Sequence, residues 1–199
     1  MMKRSFFVLF AVFTSMTAAA NERFELNGSW NLVSSDGMQT TAEVPGSVME
    51  ALTEANLIPD PYYGVNENDE RVRAVLYQDW TFSKTFTLPA SFSKENGTIE
   101  LVFDSVDTTA DIFLNGEKIG HTENMFRQYR FPIDFALLKE ENTVSVQIFS
   151  PVNTAAAAAE KHGSSLMTTF AGGMVDGIPY IRKSWFSYGW DFFGGGGGK

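Results

Sequence analysis

The sequence contains no cysteine and only two histidines among its 199 residues. The lack of cysteine excludes disulfide bonds, thiolate metal ligands and a cysteine nucleophile. His121 and His162 are far apart and lack the spacing of a metal site, so we interpret both as surface or turn residues. A Gly-x-Ser-x-Gly motif and a phosphate-binding glycine loop are also missing. We therefore expect no cofactor, no bound metal and no complete catalytic site in this chain.

Positive charge is scarce as well. The chain has 15 Lys and Arg residues against 24 Asp and Glu residues, which gives a formal net charge of −9. An acidic surface repels the phosphate backbone of nucleic acids. Nucleic acid is therefore not an expected partner.

No hydrophobic run is long enough to span a bilayer, which takes about 20 apolar residues. The apolar segment Ser5 to Met16 follows Lys3 and Arg4 and precedes the small residues Ala18 to Ala20. This order is typical of a secretory signal peptide, so we predict that residues 1–20 are a cleaved leader. A short membrane anchor is the alternative. The mature chain is expected outside the membrane, either lysosomal or secreted in a eukaryote, or periplasmic or extracellular in a bacterium.

Short segments of alternating hydrophobicity dominate the remaining chain. Apolar side chains recur at every second position in residues 99–103, 110–114 and 144–148, which predicts β-strands. Asn115-Gly116 follows one of them and tolerates positive φ, which is a strong hairpin signal. We predict that residues 21–193 form one mostly-β domain, a jelly-roll β-sandwich with one or two short helices. Further strands are predicted at 24–26, 30–32 and 82–88.

Helical signals are fewer. Ser47, followed three residues later by Glu50, predicts a capped helix start, and Pro59 predicts where that helix stops. The alanine run 155–159 indicates either a short helix or a mobile connection. Residues 194–199 are nearly all glycine and cannot form a core, so they are either a natural flexible tail or a truncated or aberrant end.

Aromatic and polar residues alternate between Ile181 and Phe192. A sugar ring presents an apolar C–H face and a rim of hydroxyls, so a site for it needs a flat aromatic beside fixed donors and acceptors. If this segment is a strand, Arg182 and Trp190 share one face, and Asp191 follows Trp190. The segment therefore has the composition of a sugar site. The alternative interpretation is a core strand with a charged start.

Six groups of residues stand in a characteristic order between residues 26 and 192. They are Val44-Pro45-Gly46; Leu57 to Gly64 with Asn66-Glu67; Asp79-Trp80-Thr81-Phe82; Val106-Asp107-Thr108 with Leu114-Asn115-Gly116; Asn124-Met125-Phe126 with Tyr129; and Arg182-Lys183 with Gly189-Trp190-Asp191. Together they resemble the N-terminal domain of the β-mannosidases of glycoside hydrolase family 2. Two stretches depart from the family's sequence pattern. Phe192-Phe193 stands where the family has Trp-Gly, and Arg71-Val72-Arg73 stands where it has a Trp-Arg pair.

The resemblance implies a jelly-roll domain of the galactose-binding type that belongs to a larger enzyme. In that family a (β/α)₈ barrel carries both catalytic glutamates, and terminal β-mannosides of oligosaccharides or glycoproteins are hydrolysed with retention. Because those glutamates are absent here, we expect a fragment that is inactive alone, with the catalytic domains as its partner.

The resemblance also implies roles for individual residues. Trp190 would wall the mannose ring, Asp191 would accept hydrogen bonds from its hydroxyls, and Arg182 would orient Asp191 or reach the sugar. A second set would support the interface with the catalytic domains: Tyr62, Tyr63, Asn124, Met125 and Phe126.

Two other functions remain open from the sequence. The chain could be a free-standing carbohydrate-binding module, or a structural domain in which Trp190 is simply buried.

Overall fold

The computed structural model describes residues 22–93, 95, 97–163 and 177–184. Within these ranges it contains eight β-strands and three α-helices. The strands are β1 Gly28–Ser34, β2 Gln39–Val44, β3 Trp80–Phe86, β4 Ile99–Phe103, β5 Thr109–Leu114, β6 Glu117–Glu123, β7 Tyr129–Ile133 and β8 Asn142–Ile148. The helices are α1 Val48–Glu54, α2 Glu70–Ala74 and α3 Pro151–His162.

The strands form two antiparallel sheets. Six of them pair in the order β2-β1-β3-β8-β5-β6, while β4 pairs with β7 in a second sheet. Strand β8 lies between β3 and β5, so the neighbours in the large sheet come from distant parts of the chain. This topology separates the β4–β7 pair from the large sheet and leaves a layer between the two.

The hydrophobic core fills that layer. Inward-facing residues of the large sheet, such as Leu32, Ile112 and Val144, have no exposed surface. Phe103 and Phe131 of the small sheet pack against the same cluster. The mostly-β sandwich predicted from the sequence is confirmed.

Several local sequence signals correspond to turns and helices in the structure. Asn115 and Gly116 have φ values of 53° and 89° and form the two-residue turn between β5 and β6. The Ser47 side chain caps α1 by accepting a hydrogen bond from the Glu50 backbone N–H at 3.1 Å. The alanine run lies within α3 and is therefore helical.

Four features of the structure differ from the sequence-based predictions. Helix α1 ends at Glu54, before the predicted stop at Pro59. Residues 24–26 are not a strand; residues 22–27 have no regular secondary structure. Instead, the Phe24 ring packs at 6.2 Å from Phe86, and Lys84 Nζ donates a 2.8 Å hydrogen bond to the Asn27 carbonyl. Strand β3 ends at Phe86, two residues earlier than predicted. Helix α2 was not predicted from the sequence.

None of the helices in the described ranges is both long and apolar enough to cross a membrane.

Candidate sugar-binding edge

Three connections meet at one edge of the sandwich. They are residues 104–107 between β4 and β5, residues 124–128 between β6 and β7, and residues 181–184, which follow the short 3₁₀ turn Ile178–Tyr180. We call these three segments the loop junction. Its members are far apart in the sequence, so the fold alone brings them together.

Met125 is the centre of the loop junction because three of its polar atoms bind two other segments. Its backbone N–H donates to the Arg182 carbonyl at 3.1 Å, next to an isolated parallel bridge between Asn124 and Arg182. Its carbonyl accepts from Ser105 Oγ at 2.6 Å, and its Sδ lies 3.0 Å from the Ser184 backbone N–H. Met125 therefore holds the 181–184 segment against the rest of the domain.

Tyr129 shapes the loop that carries Met125. Its buried hydroxyl accepts hydrogen bonds from the backbone N–H groups of Glu123 at 3.1 Å and Asn124 at 2.9 Å, and it donates to the Asn124 carbonyl at 3.0 Å. Arg127 lies over the Tyr129 ring at 5.3 Å from its centre. A single side chain thus satisfies the backbone groups at the start of the loop.

Lys183 and Asp107 form an ion pair across the loop junction. The Lys183 side chain is 15% exposed and that of Asp107 39%. The Thr108 hydroxyl also contacts the Asp107 carboxylate. The carboxylate therefore lies between a cation and a hydroxyl donor, which fixes its position.

Of the three predicted sugar-binding residues, only Arg182 lies within the described part of the chain. Arg182 is exposed and lies beside Asn124, which was predicted as an interface residue. Its backbone carbonyl accepts the Met125 N–H. Trp190 and Asp191 lie outside the described residues.

The predicted interface residues divide into two groups. Asn124 and Met125 are half-buried and bind this chain's own segments, while Phe126 is 66% exposed. Tyr62 and Tyr63 lie on the connection between α1 and α2 and are 71% and 76% exposed. That connection is ordered by hydrogen bonds, because the Tyr62 N–H and the Asn66 amide both donate to Asp60 at 2.9 Å.

The two histidines lie on the surface. His121 is exposed on β6, and its Nδ1 lies 2.6 Å from the Asp111 carboxylate, which Lys118 also contacts at 2.7 Å. His162, at the end of α3, packs on the Tyr180 ring at 5.5 Å. In the described part of the chain, no group of three or more His, Cys, Asp and Glu residues is arranged to hold a metal ion.

Sequence reasoning did not assign roles to Lys183, Asp107 and Ser105. Two of them stand inside motifs of the family resemblance, Val106-Asp107-Thr108 and Arg182-Lys183. The presence of both motifs in one sequence was the signal that could have identified these residues. The contact itself joins residues 76 positions apart, so no local pattern reveals it.

Comparison with known proteins agrees with this fold. Residues 30–195 match the family model described as glycosyl hydrolase 2 galactose-binding domain-like, so the chain belongs to this family. Its relatives within the family are β-mannosidases. It is 38% identical to the Capra hircus β-mannosidase over 84% of this chain and 33% identical to the Mus musculus β-mannosidase over 93%. The crystal structure of the Dictyoglomus thermophilum β-D-mannosidase superimposes with a TM-score of 0.74, at 34% identity over 84% of this chain.

The chain spans about a fifth of the length of these relatives: 19% and 21% of the two mammalian proteins and 20% of the bacterial one. It corresponds to the N-terminal domain of β-mannosidase-like proteins of glycoside hydrolase family 2. The resemblance inferred from the six groups of residues is thereby confirmed.

Proposed function

We propose that this chain is the sugar-binding N-terminal domain of an exported β-mannosidase that hydrolyses terminal β-mannosides with retention. The observation that carries the proposal is the similarity to β-mannosidases over 84% of the chain, at 38% identity to one relative and 34% to a solved structure. The exposure of Arg182 in the loop junction supports the proposal, because a sugar-binding side chain must be accessible.

Within this function, Trp190, Asp191 and Arg182 form one side of the mannose pocket. A guanidinium and a carboxylate offer the donors and acceptors that sugar hydroxyls need, and an indole offers a flat apolar face for the ring C–H groups. The other side of the pocket and both catalytic glutamates belong to the catalytic domains. The chain alone is therefore inactive.

The exposed aromatic residues support the same arrangement. Tyr62, Tyr63 and Phe126 are each 66% or more exposed, and aromatic residues are enriched at protein–protein interfaces. We assign these three side chains to the contact with the catalytic domains. Asn124 and Met125 support that contact through the shape of the loop.

Activity and binding measurements test this function together. We expect the purified chain to hydrolyse no aryl β-mannoside and to bind mannose only weakly in an NMR titration. The variants Trp190→Ala and Asp191→Asn should weaken the binding, whereas Arg23→Met, which changes an exposed arginine outside the site, should not. Turnover of the substrate would refute the assignment of catalysis to other domains.

Millimolar or tighter binding of mannose by this chain would favour a free-standing carbohydrate-binding module instead. A half-formed pocket should bind less well than a complete one, since fewer groups repay the cost of ordering the ligand.

The export proposal has its own test. Expression with the native leader should yield a secreted product whose N-terminus, read by Edman degradation, is Asn21. A product that begins at Met1 and stays inside the cell would refute cleavage after Ala20.

A further inference from the structure

Lys183 is a charged residue to which the proposed sugar site gives no role. Lysine is rarely buried unless its charge is paired. Here the side chain is 15% exposed, and its ammonium contacts the Asp107 carboxylate. The ion pair connects the 181–184 segment with the β4–β5 connection.

Two backbone contacts lie on either side of this ion pair. The Arg182 carbonyl, one residue before Lys183, accepts the Met125 N–H at 3.1 Å. The Ser184 N–H, one residue after it, lies 3.0 Å from Met125 Sδ. Buried Ile181 anchors the start of the segment against α3. A hydrogen bond to sulfur is weak, so beyond Ile181 these two contacts hold the segment only loosely.

The ion pair adds a stronger restraint on the segment than the two contacts provide. Exposed ion pairs contribute little, but a partly buried one costs much more to break, because the remaining charge is left without a partner in a poorly solvated place. Lys183 is the more buried member, so the pairing of its ammonium restrains the part of the segment beyond Ile181. Arg182 is the adjacent residue, and its direction follows from that position.

We propose that Lys183 is a positioning residue, which fixes Arg182 at the sugar-binding edge through its ion pair with Asp107. The sugar-related part of this inference rests on the proposed function of Arg182. Lys183 itself touches no sugar.

The test compares four variants of the full chain: Lys183→Met, Lys183→Arg, Asp107→Asn and the double variant Lys183→Met/Asp107→Asn. Lys118→Met is the matched control, because it removes the lysine of the Asp111 ion pair on β5 and β6, away from the loop junction. Three quantities are measured on each: hydrogen exchange of the Met125 and Ser184 amides, the mannose dissociation constant by NMR titration, and the urea midpoint of unfolding.

In Lys183→Met and Asp107→Asn, we expect amide protection at Met125 and Ser184 to fall about tenfold, an effect between those of exposed and buried ion pairs. Mannose affinity should fall by a similar factor, and the free energy of unfolding from the urea curve should fall by no more than the equivalent of this tenfold change, about 1.4 kcal/mol. Lys183→Arg should restore both, and the double variant should be no worse than either single one. The Lys118→Met control should leave both quantities unchanged.

Unchanged amide protection in Lys183→Met would overturn the proposal, and so would lost protection with unaltered mannose affinity. If the wild-type chain binds no mannose, sugar binding by this chain fails as a function. In that case the exchange measurement still decides whether Lys183 and Asp107 hold the segment.

Discussion

Gly120 on β6 lies under the ring of Phe131 on β7. A Cβ added at Gly120 would come within 2.1 Å of a Phe131 ring carbon. The ring packs in parallel with Tyr129, with centroids 6.1 Å apart and an angle of 11°, and edge-on with Phe103 at 6.2 Å. Because Gly120 has no side chain, the Phe131 ring can lie flat between the two sheets.

We predict that Gly120→Ala destabilises the domain by about 1–3 kcal/mol, because overpacking forces the ring from its place. Urea unfolding measures the change. Phe131→Leu in the same background should relieve the clash, so the double variant should lose less stability than the sum of the two single variants. Strict additivity would contradict the contact.

The surroundings of Asp111 on β5 allow a second prediction for a single residue. Its side chain is 17% exposed and lies between Lys118 and His121. Burial acts to raise the pKa of this carboxyl, but the hydrogen bonds from Lys118 and His121 outweigh burial and lower the pKa below its usual value. The ionised form is thus favoured in the folded state.

A lowered pKa gives stability that is present above the ordinary aspartate value of about 3.9 and is lost as the pH falls through the folded value. Asp111→Asn should therefore be less stable than the wild type at pH 5, by no more than about 1 kcal/mol for a pair near the surface. The difference should shrink as the pH falls from 4 towards 2. Urea unfolding at each pH tests this, and a gap that is independent of pH would contradict it.

At the scale of elements, α3 and the turn at Gly177 depend on each other. A Cβ at Gly177 would meet the Ala155 carbonyl oxygen at 1.9 Å, and its φ is 85°. Ala155 and Ala159 are buried on this face of the helix, and Ile178 and Ile181 pack beside them. The alanine run thus provides a face flat enough for the chain that leads to the loop junction.

Gly177→Ala should detach this turn from α3. The expected result is faster hydrogen exchange at the amides of Ile181, which donates to the Ile178 carbonyl at 2.9 Å, and of Met125. Gly163→Ala is the matched control, because Gly163 also has a positive φ, 93°, but open space where a Cβ would go. An equal effect of the two substitutions would mean that backbone strain, rather than contact with α3, is responsible.

The elements that could be predicted from the sequence are those determined by local chemistry. The alternation of 110–114 and the Asn115-Gly116 turn specify a hairpin without reference to any other part of the chain. Helix α2 could not be predicted, because it has five residues, of which only Val72 is buried, and so shows no periodicity. The segment from Ile181 was considered as a strand, and within its described residues 181–184 it contains a single bridge, at Arg182.

The candidate site was less predictable than the fold for a related reason. The motifs indicated which residues belong together, but the order of strands that joins 104–107 to 124–128 depends on long-range pairing. Phe126 and Tyr63 are exposed, whereas Met125 is half-buried. Met125 is covered because it contacts Ser105, Arg182 and Ser184, which come from distant parts of the sequence.

At the scale of the whole molecule, acidic charge and exposed apolar surface oppose each other. The formal net charge is −9 and the sequence pI is about 4.7. At pH 7 mutual repulsion keeps copies apart, although Tyr63 and Val65 are 76% and 73% exposed on one connection. Near pH 4.7 that repulsion vanishes, and exposed apolar patches then favour association.

We therefore predict that sedimentation velocity shows mostly monomer at pH 7 and concentration-dependent association near the pI. The double variant Tyr63→Ser/Val65→Ser should associate less at that pH, with an unchanged urea midpoint, because both side chains contact mainly solvent. Val102→Ser is the control, since Val102 is 40% exposed on β4 and lies outside this connection. If the control reduces association as much as the double variant does, exposed apolar surface in general drives association, and the connection between α1 and α2 is not a special contact surface. If neither variant reduces association, the loss of net charge alone governs it.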